Sequence, residues 1–158
     1  PASAIEGTLS LLAEGMRGKG VDLRISETGF SVQVRGYVDQ LEQVLINLMV
    51  NARDALLGKR EKDASFKPWI SIYAERDESK VRLWVEDNGG GIDPRLLERI
   101  FEPFFTTKPT AEAAGVGLYL CREVILNHQG SIIVKSEKDN FTEFMITIPI
   151  YQKSNNNE

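Results

Sequence analysis

The sequence predicts an α/β fold, because segments with the helical spacing of apolar residues alternate with segments whose apolar residues recur at every second position. The clearest helical pattern covers residues 38–57, and the clearest strand pattern covers residues 80–87. A chain of 158 residues has room for one sizeable core. We therefore expect one layered α/β domain over residues 1–150, followed by a polar tail or linker over residues 151–158.

The same two periods place the elements in order along the chain. Helices are predicted at residues 3–17, 38–57, 94–100 and 115–127, and strands at residues 21–26, 31–35, 69–76, 80–87, 131–137 and 143–149. The short helix over residues 94–100 is expected from Asp93 as its N-cap and Pro94 at its first position. A charged loop is predicted at residues 58–63, and a mobile lid at residues 101–114, where no period is visible.

The helix over residues 38–57 carries two neighbouring stripes. The core stripe consists of apolar residues: Leu41, Val44, Leu45, Leu48, Ala52 and Ala55. The second stripe lies roughly 100° around the helix and is polar: Gln40, Gln43, Asn47, Asn51 and Asp54. A polar stripe beside the core is placed to line a groove, and amide oxygens suit Mg²⁺ that already carries phosphate charge. On this segment alone, asparagines that simply border solvent explain the pattern equally well.

Two glycine-containing segments favour the ligand-binding alternative. Asp87 closes a predicted strand and is followed by three glycines, which give a buried carboxylate beside a backbone that a flat ligand can approach closely. Gly115 and Gly117 precede a new apolar helix. The N–H groups and the dipole at such a helix start favour phosphate. Each segment is a weak signal, but their order and spacing together are strong.

Together these segments resemble the catalytic and ATP-binding domain of sensor histidine kinases, which are GHKL ATPases with the Bergerat fold. The matching segments are the N box at residues 47–55, the G1 box at 87–92, the F box at 101–108 and the end of the G2 box at 115–118. The resemblance covers nearly the whole chain. It implies a two-layer α/β sandwich in which a mixed, mostly antiparallel sheet carries helices on one face.

The resemblance also implies that ATP and Mg²⁺ bind to this chain. Asn51 would hold Mg²⁺, Asn47 would support it from one turn back, and Asp54 would be a water-mediated neighbour. Lys108 would reach the γ-phosphate, although a solvated loop lysine is the alternative.

The base and the remaining nucleotide contacts are implied in the same way. Asp87 would accept a hydrogen bond from the adenine amino group, and Thr142 would support it through a water. A plain turn residue before glycines is the alternative for Asp87. The further contacts implied by the matching boxes are Gly89, Gly91, Ile92, Thr107, Gly115, Val116, Gly117 and Leu118.

Two positions bear on the reaction. In hydrolysing relatives a Glu stands where this chain has Asn47, and an amide cannot act as a general base, so we expect slow intrinsic hydrolysis. The family phosphorylates a histidine on a separate helical dimerisation domain. The only histidine in this sequence, His128, resembles the family's structural His-Gly position at the end of the last helix. We therefore expect nucleotide binding without autophosphorylation by this chain alone.

The chain departs from the family in the G2 box, where Ala111 and Ala113 stand in place of glycines, and at Phe141, where relatives commonly have Gly. Two alternatives stay open, and Ala111 and Ala113 favour the first of them. One is a degenerate module that docks on a helical partner without phosphotransfer. The other is a GHKL kinase with a different acceptor, such as serine.

Net charge, hydropathy and cysteine content limit the kinds of partner and the location that we expect. A net charge of −4 argues against a nucleic-acid surface, and no apolar run approaches the length of a membrane span. The single Cys121 fits a reducing cytoplasm and is expected to be a small buried residue. The resemblance implies the dimerisation and phosphoacceptor domain of the same kinase and a downstream response regulator as partners. It implies a cytoplasmic location without direct membrane contact.

Overall fold

The computed structural model describes residues 4–25, 38–103, 105 and 117–149. The described helices are α1 (Ala4–Gly18), α2 (Val38–Lys62) and α3 (Gly117–Asn127). The described strands are β1 (Asp22–Ile25), β2 (Trp69–Arg76), β3 (Lys80–Asp87), β4 (Ser131–Glu137) and β5 (Phe141–Pro149). The predicted strand at residues 31–35, most of the predicted lid and the tail lie outside the described residues.

The described strands form one five-stranded sheet in the order β1-β2-β3-β5-β4. The pair β1–β2 is parallel, and the pairs β2–β3, β3–β5 and β4–β5 are antiparallel. This is the mixed, mostly antiparallel sheet that the resemblance implied, so the fold prediction is confirmed. Strand β5 lies between β3 and β4. The last residue of β3, Asp87, is therefore paired with Thr142 near the start of β5, within the sheet rather than at its edge.

The core lies between one face of this sheet and the three helices. Alternate residues of β5 are buried, which is the period that a strand with one covered face requires. All three helices and the central strands contribute buried side chains to one cluster, including Met16, Leu48, Leu56, Ile125, Ile70, Val85 and Ile146. Helix α2 supplies the most of these residues and therefore holds its second, polar stripe at the border of the core.

Helix α2 ends later than the sequence predicted. The segment 58–63 was expected to be a charged loop, but the helix continues to Lys62. Two side chains of the last turns find backbone carbonyls elsewhere in the fold: Arg60 donates to the carbonyl of Lys19, and Lys59 donates to the loop after β3. These tertiary partners stabilise turns that carry few apolar residues, which is why the apolar pattern underestimated the helix.

The short helix predicted at residues 94–100 is wrong. Asp93 accepts from the backbone N–H of Arg95 at 2.9 Å, as an N-cap does, but the bonds that follow recur only at every third residue. The N–H groups of Leu96, Arg99 and Glu102 each bond three residues back, which gives a chain of separate turns. Ile100, near the end of this chain of turns, is buried in the core.

Candidate functional site

Asp87 is the last residue of β3 and its side chain is 5% exposed. Its Oδ1 accepts a hydrogen bond from the backbone N–H of Gly89 at 2.9 Å. Burial is the largest influence on this carboxyl and raises its pKa to about 7; the bond from Gly89 and the charge of Lys59 lower the pKa, and Glu86 raises it. A buried carboxylate with this pKa is a hydrogen-bond acceptor that an outside donor would help to ionise.

Thr142 lies directly opposite Asp87 in the β3–β5 ladder and is also buried. Its Oγ1 is 3.0 Å from Oγ of Ser136, which accepts from the N–H of Ile92 at 2.7 Å and donates to the carbonyl of Phe141 at 2.8 Å. Since the one hydroxyl hydrogen of Ser136 is used, Thr142 must donate its own hydrogen to Ser136. Thr142 therefore offers only acceptor lone pairs, which suits a water that donates to both Thr142 and Asp87.

Ser136 was missed at the sequence level. A serine in a strand of alternating burial is an ordinary edge residue, and only the pairing of β4 with β5 brings its hydroxyl beside Thr142. Its bond to the N–H of Ile92 ties the segment after β3 to the sheet. Ile92 itself was predicted as a nucleotide contact. Its backbone N–H is linked to Thr142 through the hydroxyl of Ser136.

The side of α2 that carries Asn47 and Asn51 contacts α3 near one end and the loop after β3 near the other. Asn47 and Asn51, both half-buried, are followed at four-residue spacing by Ala55 and Lys59, so all four project from one side of the helix. A Cβ added to Gly89 would be 3.0 Å from Cβ of Ala55 and 2.8 Å from Oδ1 of Asp87. The loop backbone thus lies close against α2 one turn after Asn51.

Ala55 corrects one expectation. The sequence placed it on the core stripe, but its side chain is exposed. Its place in the core stripe is taken by Leu56, which is fully buried. The small, exposed Ala55 lies one turn after Asn51 and packs against the backbone of Gly89.

Asn47 contacts α3. Its Nδ2 is 3.7 Å from Sγ of Cys121, and its Oδ1 accepts from Nε2 of Gln43 at 3.4 Å. Cys121 is 1% exposed, and burial raises its thiol pKa to about 11, so the expectation of a buried cysteine is confirmed. The contact couples the start of α3, which includes the candidates Gly117 and Leu118, to the polar stripe of α2.

The loop at residues 88–92, here called the G1 loop, is held by backbone geometry that requires glycine. Gly91 has φ of +66°, and a Cβ there would lie 2.1 Å from the carbonyl oxygen of Glu137. The N–H of Asp139 donates to the carbonyl of Gly90 at 2.7 Å, which joins the loop to the turn between β4 and β5. Asn88 is structural, because its Oδ1 accepts from the N–H of Trp69 at 2.7 Å.

Other candidates lie at the margins of the described site. Asp54 forms a half-exposed ion pair with Arg53 at 3.2 Å, and its role near Mg²⁺ stays a prediction. At the start of the F box, the rings of Phe101 and Phe144 meet edge to face with centroids 6.4 Å apart, and the guanidinium of Arg122 on α3 lies over Phe101. Six residues named from the sequence lie outside the described residues: Thr107, Lys108, Ala111, Ala113, Gly115 and Val116.

His128 has the structural role that the sequence favoured. Its Nδ1 lies 2.7 Å from the carbonyl of Val124, one turn back at the end of α3. The helix then closes through Gln129 with φ of +60° and a bond from the N–H of Gly130 to the carbonyl of Ile125. This end of α3 is not part of the group formed by Asp87, Thr142, Ser136 and the polar stripe of α2.

Comparison with known proteins gives the family. A family profile described as "Histidine kinase-, DNA gyrase B-, and HSP90-like ATPase" matches residues 36–152, which include the polar stripe, the G1 loop and the last strands. The chain belongs to this ATPase family. Within it, the chain has the fold of a histidine kinase catalytic domain, an ATP-binding catalytic module.

Individual relatives agree. The chain is similar to "Two-component sensor PprA" of Pseudomonas aeruginosa, with 43% identity over 95% of this chain and 16% of that protein. It is similar to "Sporulation kinase A" of Bacillus subtilis, with 36% identity over 90% of this chain and 22% of that protein. The chain therefore spans less than a quarter of the length of either relative. Among solved structures, the nucleotide-free catalytic domain of histidine kinase ThkA superposes with a TM-score of 0.74 at 31% identity, covering 92% of this chain and 90% of that one.

The polar stripe of α2 has residues that could hold a metal ion brought by a nucleotide. In the polar stripe of α2, Asn47 and Asn51 offer neutral amide oxygens and Asp54 is the one carboxylate, a set that suits a hard cation whose charge is balanced mainly by phosphate. Among the described residues, no cluster of three or more His, Cys, Asp or Glu side chains could hold a metal on its own. None of the described helices has the length and apolar character of a membrane span.

Proposed function

We propose that this domain binds Mg-ATP and supplies the γ-phosphoryl group to a histidine on a separate dimerisation and phosphoacceptor domain. The observation that carries the proposal is the buried Asp87, whose carboxylate accepts from Gly89 at the point where the G1 loop packs against Ala55 of α2, one turn after Asn51. A buried carboxylate that has only one protein donor among its described contacts is suited to a ligand that brings further donors.

Adenine is the base that this pair of acceptors favours. The amino group of adenine would donate to Asp87, and a water held by Thr142 would complete the contact. Guanine presents a carbonyl at the same position, so it would place an acceptor against an acceptor. Gly89 and Gly91 would let the loop backbone lie close to the plane of the base.

The phosphates would lie along α2 toward the start of α3. Asn51 would hold Mg²⁺ and Asn47 would support it, with Asp54 reached through water. Mg²⁺ would neutralise part of the charge that develops on the phosphates. Thr107, Lys108, Gly115, Val116, Gly117 and Leu118 are the proposed contacts on the side of the F box and the G2 box, with Lys108 as the candidate for the γ-phosphate.

In the proposed transfer a ring nitrogen of the acceptor histidine attacks the γ-phosphorus. The bond from that phosphorus to the β–γ bridging oxygen breaks, ADP leaves, and phosphohistidine forms. Positioning and electrostatics would carry this step. Competing hydrolysis would be slow, because Asn47, one turn before Asn51, has an amide that cannot deprotonate water. His128 is not proposed as an acceptor, since its ring is bonded into the end of α3.

The test is a transfer assay with γ-labelled ATP and a separately purified helical hairpin that contains the phosphoacceptor histidine. We expect label on the hairpin only when this domain, ATP and Mg²⁺ are all present, and little free phosphate without the hairpin. ATP binding without transfer would favour the alternative of a regulatory docking module, for which Ala111 and Ala113 in the G2 box are the supporting observation. A response regulator would be the next acceptor, and a cytoplasmic location follows from the same proposal.

A further inference from the structure

Lys59 makes an unusual set of contacts for a lysine near the end of a helix. Its Nζ donates to the carbonyl of Asn88 at 3.2 Å, of Gly89 at 3.3 Å and of Asp139 at 3.0 Å. Its ammonium also lies 4.5 Å from the ring centroid of Phe66. An ammonium has three hydrogens, so its donors are all directed to protein carbonyls rather than to water.

The three carbonyls belong to two different segments. Asn88 and Gly89 open the G1 loop, whereas Asp139 lies in the turn between β4 and β5. The only other hydrogen bond between the G1 loop and this turn in the described residues is the one from the N–H of Asp139 to the carbonyl of Gly90. Lys59 therefore joins α2, the G1 loop and the β4–β5 turn at one point.

The backbone geometry of the G1 loop and of the β4–β5 turn shows what the contacts of Lys59 stabilise. Gly91 has a positive φ and packs directly on the backbone of Glu137. Asp139 also has a positive φ, at +66°, which a non-glycine residue adopts at a cost. A charge-assisted bond to each segment offsets these costs and fixes where Gly89 lies relative to Asp87.

We propose that Lys59 is a positioning residue of the nucleotide site: it holds the G1 loop against the β4–β5 turn in the form that accepts the base. The inference rests on the proposed nucleotide binding and deepens it. Lys59 does not touch the base itself; it acts through the backbone of Gly89, which donates to Asp87. Its charge also favours the ionised Asp87, while Glu86 is the charged side chain that opposes it.

The experiment compares three variants with the wild-type domain. Lys59→Met keeps the apolar stem and removes the donors and the charge, whereas Lys59→Arg keeps both. Lys62→Met is the matched control, because Lys62 is an exposed lysine in the last turn of the same helix. For each protein we would measure amide hydrogen exchange without nucleotide, the affinity for ADP, and the pH dependence of that affinity.

We expect Lys59→Met to exchange the amides of Gly89 and Asp139 faster than wild type and to bind ADP about tenfold more weakly. Its affinity should also reach half of its plateau at a higher pH, because Asp87 loses a neighbouring positive charge. Lys59→Arg should recover most of the affinity and the pH midpoint, and Lys62→Met should match wild type in every measurement.

Two results would overturn the proposal: unchanged exchange and affinity in Lys59→Met, or weaker binding with an unchanged pH midpoint and no recovery in Lys59→Arg. The second result would assign Lys59 a general role in stability only. Failure of the wild-type domain to bind ADP would instead defeat the proposed function. In that case the exchange data for Lys59→Met would still decide whether this lysine holds the loop.

Discussion

Asp87 and Thr142 lie directly opposite each other across the β3–β5 ladder, and they are the two buried polar residues of the described core. Both side chains act only as hydrogen-bond acceptors toward a ligand. Thr142 donates its hydroxyl hydrogen to Ser136, and an ionised Asp87 has no hydrogen to donate. Such a pair is costly in an empty apolar interior and becomes favourable when a ligand or a water supplies donors.

We expect nucleotide affinity to depend on pH around neutrality. Asp87 accepts a hydrogen bond from the base only when it is ionised, and burial raises its pKa to about 7. ADP affinity should therefore be constant above pH 8 and fall up to about tenfold for each pH unit below the midpoint. Calorimetry in buffers of different ionisation enthalpy should show proton release on binding at pH 6. Affinity that does not change between pH 6 and 8 would contradict this role.

Asp87→Asn should abolish most nucleotide binding and still increase stability at alkaline pH. An aspartate whose pKa rises from 3.8 to about 7 on folding contributes stability only at low pH, and this contribution is lost as pH rises through the folded pKa. At about 1.4 kcal/mol per unit, the cost above pH 7 is on the order of 4 kcal/mol.

Urea denaturation of Asp87→Asn and wild type at pH 5 and pH 8 measures this effect. We expect the variant to be more stable at pH 8 by roughly 1–3 kcal/mol, since its amide also needs partners, and the gain to shrink at pH 5. A variant that loses stability at pH 8 together with binding would show that Asp87 is mainly structural.

Gly91→Ala should strongly destabilise the domain, whereas Gly90→Ala should not. The added methyl at position 91 would meet the carbonyl of Glu137 at 2.1 Å in a backbone of positive φ, while a Cβ at position 90 has no heavy atom within 4 Å. We expect a loss of roughly 2–4 kcal/mol for the first and less than about 1 kcal/mol for the second. Equal unfolding free energies for the two variants would show that the G1 loop has another path in solution.

The Mg²⁺ site is tested by Asn51→Ala. Asn51 is half-buried beside the core, so the fold should be retained. The strengthening of ATP binding by Mg²⁺ and the transfer to a supplied histidine domain should both be lost, because the amide oxygen is the proposed ligand. Asn140→Ala, an exposed asparagine in the β4–β5 turn, is the control of the same residue type. Transfer at the wild-type rate in Asn51→Ala would rule out the assignment.

Much of the candidate site could be predicted because its parts are local in sequence. The polar stripe with Asn47 and Asn51 follows from helical periodicity alone, and Asp87 with its glycines follows from a strand that ends in an acid. Their approach to each other is a property of the fold, visible where Gly89 packs against Ala55.

The parts that were missed depend on contacts between distant segments. Lys59 was assigned to a charged loop, since nothing in its neighbourhood of charged residues reveals three carbonyls from two other segments. The helix expected after Asp93 had a correct local cap but did not continue, since the backbone bonds that follow recur only at every third residue. Local signals define where elements begin more reliably than how far they extend.

The most direct test of the central claim is a calorimetric titration of the wild-type domain and of Asp87→Asn with ATP and ADP, each with Mg²⁺ and with EDTA. We predict that the wild-type domain binds both nucleotides, that Mg²⁺ strengthens ATP binding, and that a folded Asp87→Asn binds neither at the same concentrations. Equal affinities in the two proteins, or no binding by folded wild type, would contradict the assignment of this site to adenine nucleotides.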